Sequence, residues 1–400
     1  MQTMPDVQGL IDAVVDDVRA IRRDLHAHPQ LGFEETYASE TVQRQLDQAS
    51  VPYEAGLAET GVVGWIMPED DAAAKRTAVA LRADMDALPI TEQTGLPYAS
   101  RFDGRMHACG HDGHTAILIG TARVLSQLRA ALPRPVKLLF QPAEEGRAGA
   151  RHMVEAGVLE ARVGGVAVER IFGLHGWPQM ALGEVHTRPG PMMAGSTSFA
   201  VEVTGPGGHG ASPHLTSDTI LAACDIVTTL QSVVARNVRA TAPAVVTVGT
   251  INAGQAVNII PEIARLTGTV RTLDGQVDAL VRKRIARVVE HAAAAHGCKG
   301  GVTFRDGYPV VINDEAAVEY VLAVARQQAG EGNVLVMDNP VMGAEDFAFY
   351  GRRVPAAFFY LGVRPPGRDS YPALHTPLYD FNDDALALGM TMMAQLALQS

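Results

Sequence analysis

The sequence of 400 residues has few cysteines, no basic run and no long apolar run. Its three cysteines are odd in number and far apart, which argues against a disulfide framework and favours a reducing, cytoplasmic location. The net charge of −11 excludes the positive surface that nucleic acid requires. No apolar run approaches the roughly 18 residues of a bilayer-spanning helix, and the acidic N-terminus lacks the basic start of a signal peptide. We therefore expect neither a membrane nor a nucleic-acid partner.

The composition and the apolar pattern indicate a folded chain whose first part has the α/β fold class. Hydrophobic residues make up 47% of it, and its length exceeds one ordinary core, which predicts two domains. Residues 7–49 have the period of an amphipathic helix that is broken at "HPQLGFEET". Short apolar runs then alternate with a helical stretch, "TAILIGTARVLSQL"; the runs are "GVVGWIM", "TAVALRADMDALP", "PVKLLFQPAEEG" and "RIFGLHGWP". This alternation predicts a mostly parallel sheet.

The pattern changes near residue 190. Three stretches alternate with period two, namely "SFAVEVTG", "AVVTVGTINAG" and "ARLTGTVRTLD", and helical segments are predicted near 215–239 and 275–296. This is typical of a small α+β domain with an antiparallel sheet. A buried-strand run, "AAFFYLGV", follows later. We therefore predict a discontinuous catalytic domain at 1–190 and 308–400, interrupted by a second domain at 191–307.

Polar groups follow the predicted parallel strands. Asp84 and Asp86 end one strand run, the pair Glu144 and Glu145 follows another, and His175 ends "IFGLH". Open parallel sheets bind ligands at the carboxyl ends of their strands. Each group alone also fits a structural role, such as a turn, a solvated loop or a core histidine. Their recurrence at successive strand ends favours a metal site.

The stretch "MHACGHDGHTA" supplies the ligands that such a site needs. Thiolate and imidazole both suit zinc and related transition metals. Cys109 and His111 alternate in a glycine-containing turn, so both are able to face one ion. In the Glu144–Glu145 pair, one carboxylate would coordinate the metal while the other acts as a base towards water. A buried structural cysteine is the alternative interpretation of Cys109.

Eight stretches of this sequence closely resemble the motifs of the M20 metallopeptidase family, in its branch of hippurate hydrolases, bacterial aminoacylases and indole-acetyl-amino-acid hydrolases. In chain order they are "LRADMDALPI", "HACGHDGHTA", "FQPAEEG", "LHGWP", "GPGGHGASPH", "VNIIPEIARLTGTVRTLD", "MGAEDFAFY" and "LHTPLYDFNDDAL". The resemblance spans about residues 20 to 395. It implies an α/β metallohydrolase whose inserted α+β domain is a lid and dimerisation domain.

The resemblance implies a centre of two divalent metal ions per subunit. Cys109 would bridge the two ions. His111 and His175 would complete the shell of one ion, and Glu145 and His375 that of the other. Zinc or manganese is the expected metal, with cobalt or nickel as alternatives.

The same resemblance gives roles to residues around the ions. Glu144 would be the general base and later the proton donor. Asp86 would orient a histidine ligand. Asp84 stands where other branches place a ligand histidine, so its role stays open. Asp112 and His114 are expected to shape the loop rather than bind metal.

The inserted domain would contribute the substrate contacts. His209 resembles the residue that polarises the scissile carbonyl, and in several family members this histidine reaches the partner subunit's active site. Asn258 and Arg271 match positions that hold the substrate carboxylate, although a turn asparagine and a surface arginine are the plain alternatives. Thr197 stands where many relatives have an aspartate, which puts the lid contacts or the substrate choice in question.

The resulting prediction is a cytoplasmic enzyme that cleaves N-acyl amino acids to a carboxylic acid and a free amino acid. It is expected to form a homodimer or a higher homo-oligomer through the lid domain. A dipeptidase or carboxypeptidase of the same family is the first alternative. A metal-binding or small-molecule-binding relative without catalysis is the second. The presence of Glu144 beside Glu145 argues against the second, because a pure binder needs no free base.

Overall fold

The computed structural model describes residues 6–399, which form two compact units. The first unit runs to Met192 and resumes with Ile312–Asn339 and from Asp346 onward. The second comprises Met193–Val311 and Pro340–Glu345. The sequence predicted an inserted domain at 191–307 and did not indicate that the chain returns to it at Pro340. Residues 1–5 and 400, included in the predicted catalytic domain, lie outside the described residues.

Helices and strands alternate along the first unit, and the inserted unit separates its two stretches. The first stretch contains α1 (Val7–Ala27), α2 (Thr36–Gln48), β1 (Tyr53–Leu57), β2 (Gly61–Ile66), α3 (Asp71–Ala74), β3 (Ala78–Asp84), α4 (His111–Ser126), β4 (Val136–Gln141), α5 (Glu144–Arg147), α6 (Gly149–Glu155), β5 (Val168–Ala181), β6 (Val185–Thr187) and β7 (Gly190–Met193). The second unit contains β8 (Gly195–Thr204), β9 (Gly208–His209), α7 (Thr219–Asn237), β10 (Ala244–Ala253), β11 (Ile259–Ile260), β12 (Ile263–Thr272), α8 (Gly275–Ala295) and β13 (Lys299–Asp306). The last stretch contains β14 (Val311–Asn313), α9 (Glu315–Ala329), β15 (Val334–Val336), α10 (Ala348–Gly351), β16 (Ala356–Arg364) and α11 (Leu386–Gln399).

An eight-stranded sheet forms the centre of the first unit, in the order β1-β2-β4-β3-β5-β16-β6-β15. Its middle strands β4, β3, β5 and β16 run parallel, whereas β1 and β2 are antiparallel to their neighbours. Every residue of β3 and β4 is buried, because helices cover both faces of a parallel sheet. The predicted mostly parallel α/β fold is confirmed.

Helices α1, α4 and α11 pack together beside this sheet. Their close approach depends on a small residue, since a Cβ atom at Gly120 in α4 would overlap Met390 of α11 and Val18 of α1. All residues of α4 except two are buried. Because α4 is held so firmly, its first residue, His111, has a fixed position at the carboxyl edge of the sheet.

The second unit has a four-stranded antiparallel sheet, in the order β10-β12-β8-β13. Burial alternates along β8, as the period-two pattern predicted. Helices α7 and α8 cover one face. Each is preceded by a capping aspartate, Asp218 or Asp274, whose carboxylate accepts backbone N–H groups of the first turn. The predicted α+β fold of this part is therefore confirmed.

Helix α7 qualifies by length and composition as a bilayer-spanning helix, although the sequence had indicated no such segment. Its inward residues, among them Ala222, Ile226 and Val233, belong to the hydrophobic core of the second unit. Such packing is expected of a core helix in a folded domain.

Candidate metal centre

The cysteine and the first histidine of the centre lie where the chain enters α4. Cys109 is buried, Gly110 has φ +92°, and His111 begins the helix. A Cβ atom at residue 110 would lie 2.9 Å from the Tyr379 hydroxyl, so glycine is required both by the backbone angle and by the space. His111 therefore starts a helix instead of lying in the turn that the sequence had predicted.

Asp86 connects two of the predicted ligands. Its Oδ1 lies 3.1 Å from His111 Nδ1, and its Oδ2 accepts a hydrogen bond of 2.8 Å from Glu145 N. Burial lowers the pKa of His111, but Asp84 and Asp86 raise it to about 10. Because Asp86 keeps one proton on Nδ1, Nε2 is the nitrogen that would lose its proton and bind a metal. That buried Nε2 has no hydrogen-bond partner among the described residues. A buried nitrogen of this kind fits a metal ligand.

His175 lies within β5 and not at its end, so the predicted strand end was wrong. The strand continues to Ala181 because β16 pairs with it over this length. The ring donates from Nδ1 to Gly176 O at 2.8 Å, and its Nε2 lies 3.4 Å from Cys109 Sγ. Burial lowers the pKa of His175 well below its usual range, so the neutral imidazole keeps a lone pair on Nε2.

The remaining pair of predicted ligands meets Cys109 from the other side. His375 Nε2 lies 3.1 Å from Glu145 Oε1 and 3.3 Å from Cys109 Sγ. The backbone of His375 has φ +62°, and its N–H donates to Ala108 O. This left-handed conformation is uncommon outside glycine and asparagine, and it occurs here at a residue facing the centre.

The donor atoms form two triplets that share one thiol. Cys109, His111 and His175 make up the first, and Cys109, Glu145 and His375 make up the second; within each, the ligand atoms lie within 4.8 Å of one another. These are the two shells that the resemblance implied for a pair of ions.

The charges of the set suit divalent cations. Burial raises the pKa of the Cys109 thiol, and the carboxylates of Glu145, Glu144 and Asp84 raise it further. The cluster thus combines negative charge with an imidazole nitrogen, His111 Nε2, that makes no hydrogen bond among the described residues and lies 3.7 Å from Asp84 Oδ2. Thiolate, imidazole and carboxylate together are a donor set for transition metals. The residues present therefore fit a metal centre.

Glu144 lies beside this donor set. It is buried, and its Oε1 accepts a hydrogen bond of 3.4 Å from Asp346 N. One carboxylate oxygen of Glu144 lies within 4.8 Å of ligand atoms of His111 and Glu145. The resemblance implied Glu144 as the base rather than a ligand, and this closeness to His111 and Glu145 is what a general base requires.

Asp84 is part of a buried network next to the ligands. It accepts from Arg82 Nη1 at 2.6 Å and lies 2.7 Å from His114 Nδ1. Burial alone would raise the pKa of Asp84, but the Arg82 guanidinium and the neighbouring histidines hold it well below its usual range. His114 Nε2 accepts from Gly176 N, so both nitrogens of His114 are engaged within the protein.

Sequence reasoning missed Arg82 as a member of this network. Its guanidinium is fully buried and also donates to Gln141 Oε1 and Asp346 Oδ1. The signal was present, because an arginine in the middle of the buried run "VALRAD" needs carboxylate partners.

The second unit brings two predicted substrate residues together. His209 on β9 pairs with Ile259 of β11, and Gly210 N donates to Asn258 O. Both His209 and Asn258 are exposed. Ala211 N donates to His209 Nδ1 at 3.0 Å, which assigns the proton of the neutral ring to Nε2. The exposed Nε2 is therefore a hydrogen-bond donor.

Arg271 lies towards the end of the strand that follows this pair in the chain. It lies on β12, eight residues beyond Ile263, a distance on the order of 25 Å along an extended strand. Its guanidinium is half-buried, which lowers its pKa, and no carboxylate of residues 6–399 pairs with it.

Thr197 is buried in β8 of the second unit. Its hydroxyl accepts a hydrogen bond of 2.5 Å from Arg282 Nη2. Arg282 also pairs with Asp278 and Asp306, each at 2.6 Å. Two carboxylates thus already balance the guanidinium, and the threonine adds a neutral acceptor.

The fold and the donor set together define an α/β metallohydrolase. Residues 80–399 match the model of peptidase family M20/M25/M40, and the chain belongs to this family. It is 39% identical to the IAA-amino acid hydrolase ILR1-like 4 of Arabidopsis thaliana, over 94% of this chain and 84% of that protein. It is 37% identical to a hippurate hydrolase of Campylobacter jejuni, over 98% and 99% of the two chains.

A solved structure is also similar. It is a dinuclear metal-binding peptidase of the M20 family from Bacillus subtilis, with a TM-score of 0.82 and 35% identity, and the match covers 97% of this chain and 98% of that one. These likenesses confirm the predicted family, its amidohydrolase branch and the prediction of a hydrolase. They also agree with the two ligand triplets of this chain.

Proposed function

We propose that the protein hydrolyses the amide bond of N-acyl amino acids and releases a carboxylic acid and a free amino acid. The observation that carries this proposal is the pair of ligand triplets sharing Cys109, with the buried carboxylate of Glu144 next to them. The names of the plant and Campylobacter relatives, which are hydrolases of IAA-amino acids and of hippurate, support the substrate class.

The chemistry divides between the ions and the side chains. When bound, divalent ions would polarise the acyl carbonyl and make water more acidic. Glu144 removes the proton from the attacking water and later delivers it to the leaving amine. His209 donates from Nε2 to the carbonyl oxygen as negative charge develops there. Zinc or manganese is the proposed metal, with cobalt or nickel as alternatives.

The second unit would act as a lid and as the contact between two copies. Arg271 lies on the order of 25 Å along β12 from Ile263, which follows closely after Ile259, the strand partner of His209. We therefore expect one substrate to need residues of two subunits to contact both His209 and Arg271. The exposed apolar side chains of Leu215, Val257 and Ile259 next to His209 support a homodimer. The cytoplasmic location stays a prediction.

Mixed dimers test this arrangement. His209→Ala and Glu144→Gln subunits, each inactive alone, should regain about a quarter of wild-type activity when co-expressed in equal amounts, because half of the dimers then hold one intact site. Activity that stays at the level of the separate variants would contradict the exchange of His209 between subunits.

A substrate panel tests the function itself. Enzyme reconstituted with zinc, manganese, cobalt or nickel is assayed on acetyl-, benzoyl- and aminoacyl-amino acids. Cleavage of the first two classes is expected. A preference for substrates with a free α-amine would instead indicate a dipeptidase, and no turnover by fully loaded enzyme would indicate a binding protein.

A further inference from the structure

Residues 143–150, called the loop below, carry Glu144 and Glu145 and include the single irregular turn α5. The backbone of this loop is unusual. Ala143, directly before the pair, has φ +55°, and Ala148, shortly after it, has φ +58°. Residues with a Cβ atom rarely adopt this left-handed conformation, so the surrounding structure must hold them there. The direction of the Glu144 side chain depends on the conformation of Ala143, because the two residues are adjacent.

Glu35, far away in the sequence, holds Ala143. Its Oε1 accepts a hydrogen bond of 2.8 Å from Ala143 N, and its Oε2 accepts one of 2.6 Å from Thr60 Oγ1. The carboxylate is fully buried. The turn before Glu35 also contacts the loop, because a Cβ atom at Gly32 would lie 3.1 Å from Ala143 Cα.

Two other carboxylates hold the same loop. Asp86 accepts from Glu145 N, and Asp346 accepts from Ala150 N, each at 2.8 Å. Both also contact the surroundings of the metal ligands, since Asp86 lies against His111 and Asp346 accepts from Arg82. The two hydrogen bonds of Glu35, in contrast, reach the loop and Thr60 and none of the metal ligands.

We propose that Glu35 is a positioning residue for hydrolysis, and that it acts through Ala143 to hold the Glu144 carboxylate in its working place. The inference rests on the proposed function, in which Glu144 moves the proton. A displacement of a reacting group by about 1 Å costs on the order of 100-fold in rate. Substrate binding, which other residues provide, should change far less.

Three variants test the proposal. Glu35→Ala should lower kcat by about 10- to 100-fold, with KM within about threefold of wild type and both ions retained at saturating metal. Glu35→Gln should keep most of the activity, because its amide oxygen still accepts from Ala143 N while its NH2 group faces Thr60 Oγ1. Ala143→Gly should restore at least about threefold in the Glu35→Ala background, since glycine adopts positive φ without an anchor.

A matched control separates positioning from loss of structure. Gln30→Ala removes the hydrogen bond to Tyr37 N at the same end of α2 but leaves Ala143 untouched. It should keep wild-type kcat. If Gln30→Ala loses as much kcat as Glu35→Ala, or if Ala143→Gly restores nothing, Glu35 stabilises the fold and the proposal is wrong.

Hydrogen exchange gives a readout that does not depend on turnover. In Glu35→Ala, the amides of residues 143–150 should exchange at least about tenfold faster than in wild type, while those of β3 and α4 stay unchanged. Unchanged exchange in the loop would overturn the proposal even if the wild-type enzyme cleaved no N-acyl amino acid. A wild-type enzyme that cleaves no N-acyl amino acid would refute the proposed function. Hydrogen exchange would then still show whether Glu35 holds the loop.

Discussion

Asp86 Oδ1 lies 3.1 Å from His111 Nδ1 and so determines which nitrogen of the histidine faces the metal centre. The second oxygen of Asp86 accepts from Glu145 N, which belongs to the other ligand triplet. One carboxylate therefore orients a ligand in each triplet without belonging to either. Partners of this kind raise the basicity of the ligand and fix its orientation.

Replacement of Asp86 should weaken both metal sites. Asp86→Ala is expected to lower the affinity for metal by about 10- to 100-fold, because His111 and Glu145 both lose their anchor. Titration of the metal-free protein with zinc, followed by calorimetry, measures this. Asp103→Ala, which removes an exposed carboxylate on the same unit, serves as the control and should bind zinc normally.

Glu144→Gln should abolish turnover and leave the metal content intact. The carboxylate lies next to the ligands but outside both triplets. Replacing it with the amide of glutamine therefore removes the ability to accept a proton and leaves the metal ligands in place. A general base contributes roughly 10²- to 10⁴-fold in rate. Metal analysis and kcat are measured on the same preparation, and more than about a tenth of wild-type activity would exclude Glu144 as the base.

The ligands and the orienting role of Asp86 could be predicted from the sequence and its resemblance, whereas Glu35 and the partners of Arg82 could not. Cys109 and His111 are close together in the sequence and belong to the few residue types that bind transition metals. Glu35 pairs with a residue 108 positions away, and Arg82 with one 264 positions away. Such pairings leave no periodic signal, and only the folded sheet brings their members together.

The strand ends show a second limit of sequence reasoning. The run "IFGLH" suggested a strand that ends at His175, yet β5 continues to Ala181. Backbone pairing with β16 extends the strand, and this pairing partner lies in a part of the chain that follows the inserted unit. Local pattern determined that a strand exists there, and the neighbouring strand determined its length.

Cys109→Ser should reduce metal occupancy and activity together, because an alcohol stays protonated where a thiol ionises on a metal. Both triplets contain Cys109, so both ions are affected. Two ions bound normally by Cys109→Ser would show that Cys109 is no ligand.

The stability of the first unit should fall at alkaline pH through His26. This histidine is buried in α1, where its Nδ1 lies 2.8 Å from Asp112 Oδ2 and its Nε2 lies 3.3 Å from Glu92 Oε1. Burial alone would lower the pKa of His26, but Asp112, with help from Glu92, raises it to about 9. A pKa raised by folding means that the protonated ring stabilises the folded state.

The direction of this effect follows from the two pKa values. The stabilisation is complete below pH about 6.5, the value of an unfolded histidine, and is lost as the pH rises towards 9. The gap in unfolding midpoint between wild type and His26→Gln should therefore narrow between pH 6 and 9.5. A gap that stays constant over this range would mean that His26 is neutral throughout.

The enzyme should require a free α-carboxylate on the leaving amino acid. Arg271 has a half-buried guanidinium without a carboxylate partner among the described residues, and an arginine binds a carboxylate through two parallel hydrogen bonds. Conversion of the substrate carboxylate to an amide should cost on the order of 10²-fold in kcat/KM, because the guanidinium then stays unpaired. The assay compares an N-acyl amino acid with its amide.

Two variants assign that requirement to residues. Arg271→Ala should lower kcat/KM for the free acid and narrow the gap between acid and amide, with metal content unchanged. Asn258→Ala should act in the same direction. Arg265→Ala is the matched control, since Arg265 lies on the same strand but already pairs with Glu202 at 2.9 Å, and it should keep the wild-type gap. If the wild-type enzyme cleaves the amide as fast as the acid, Arg271 and Asn258 are structural residues, and a general amidase replaces the aminoacylase.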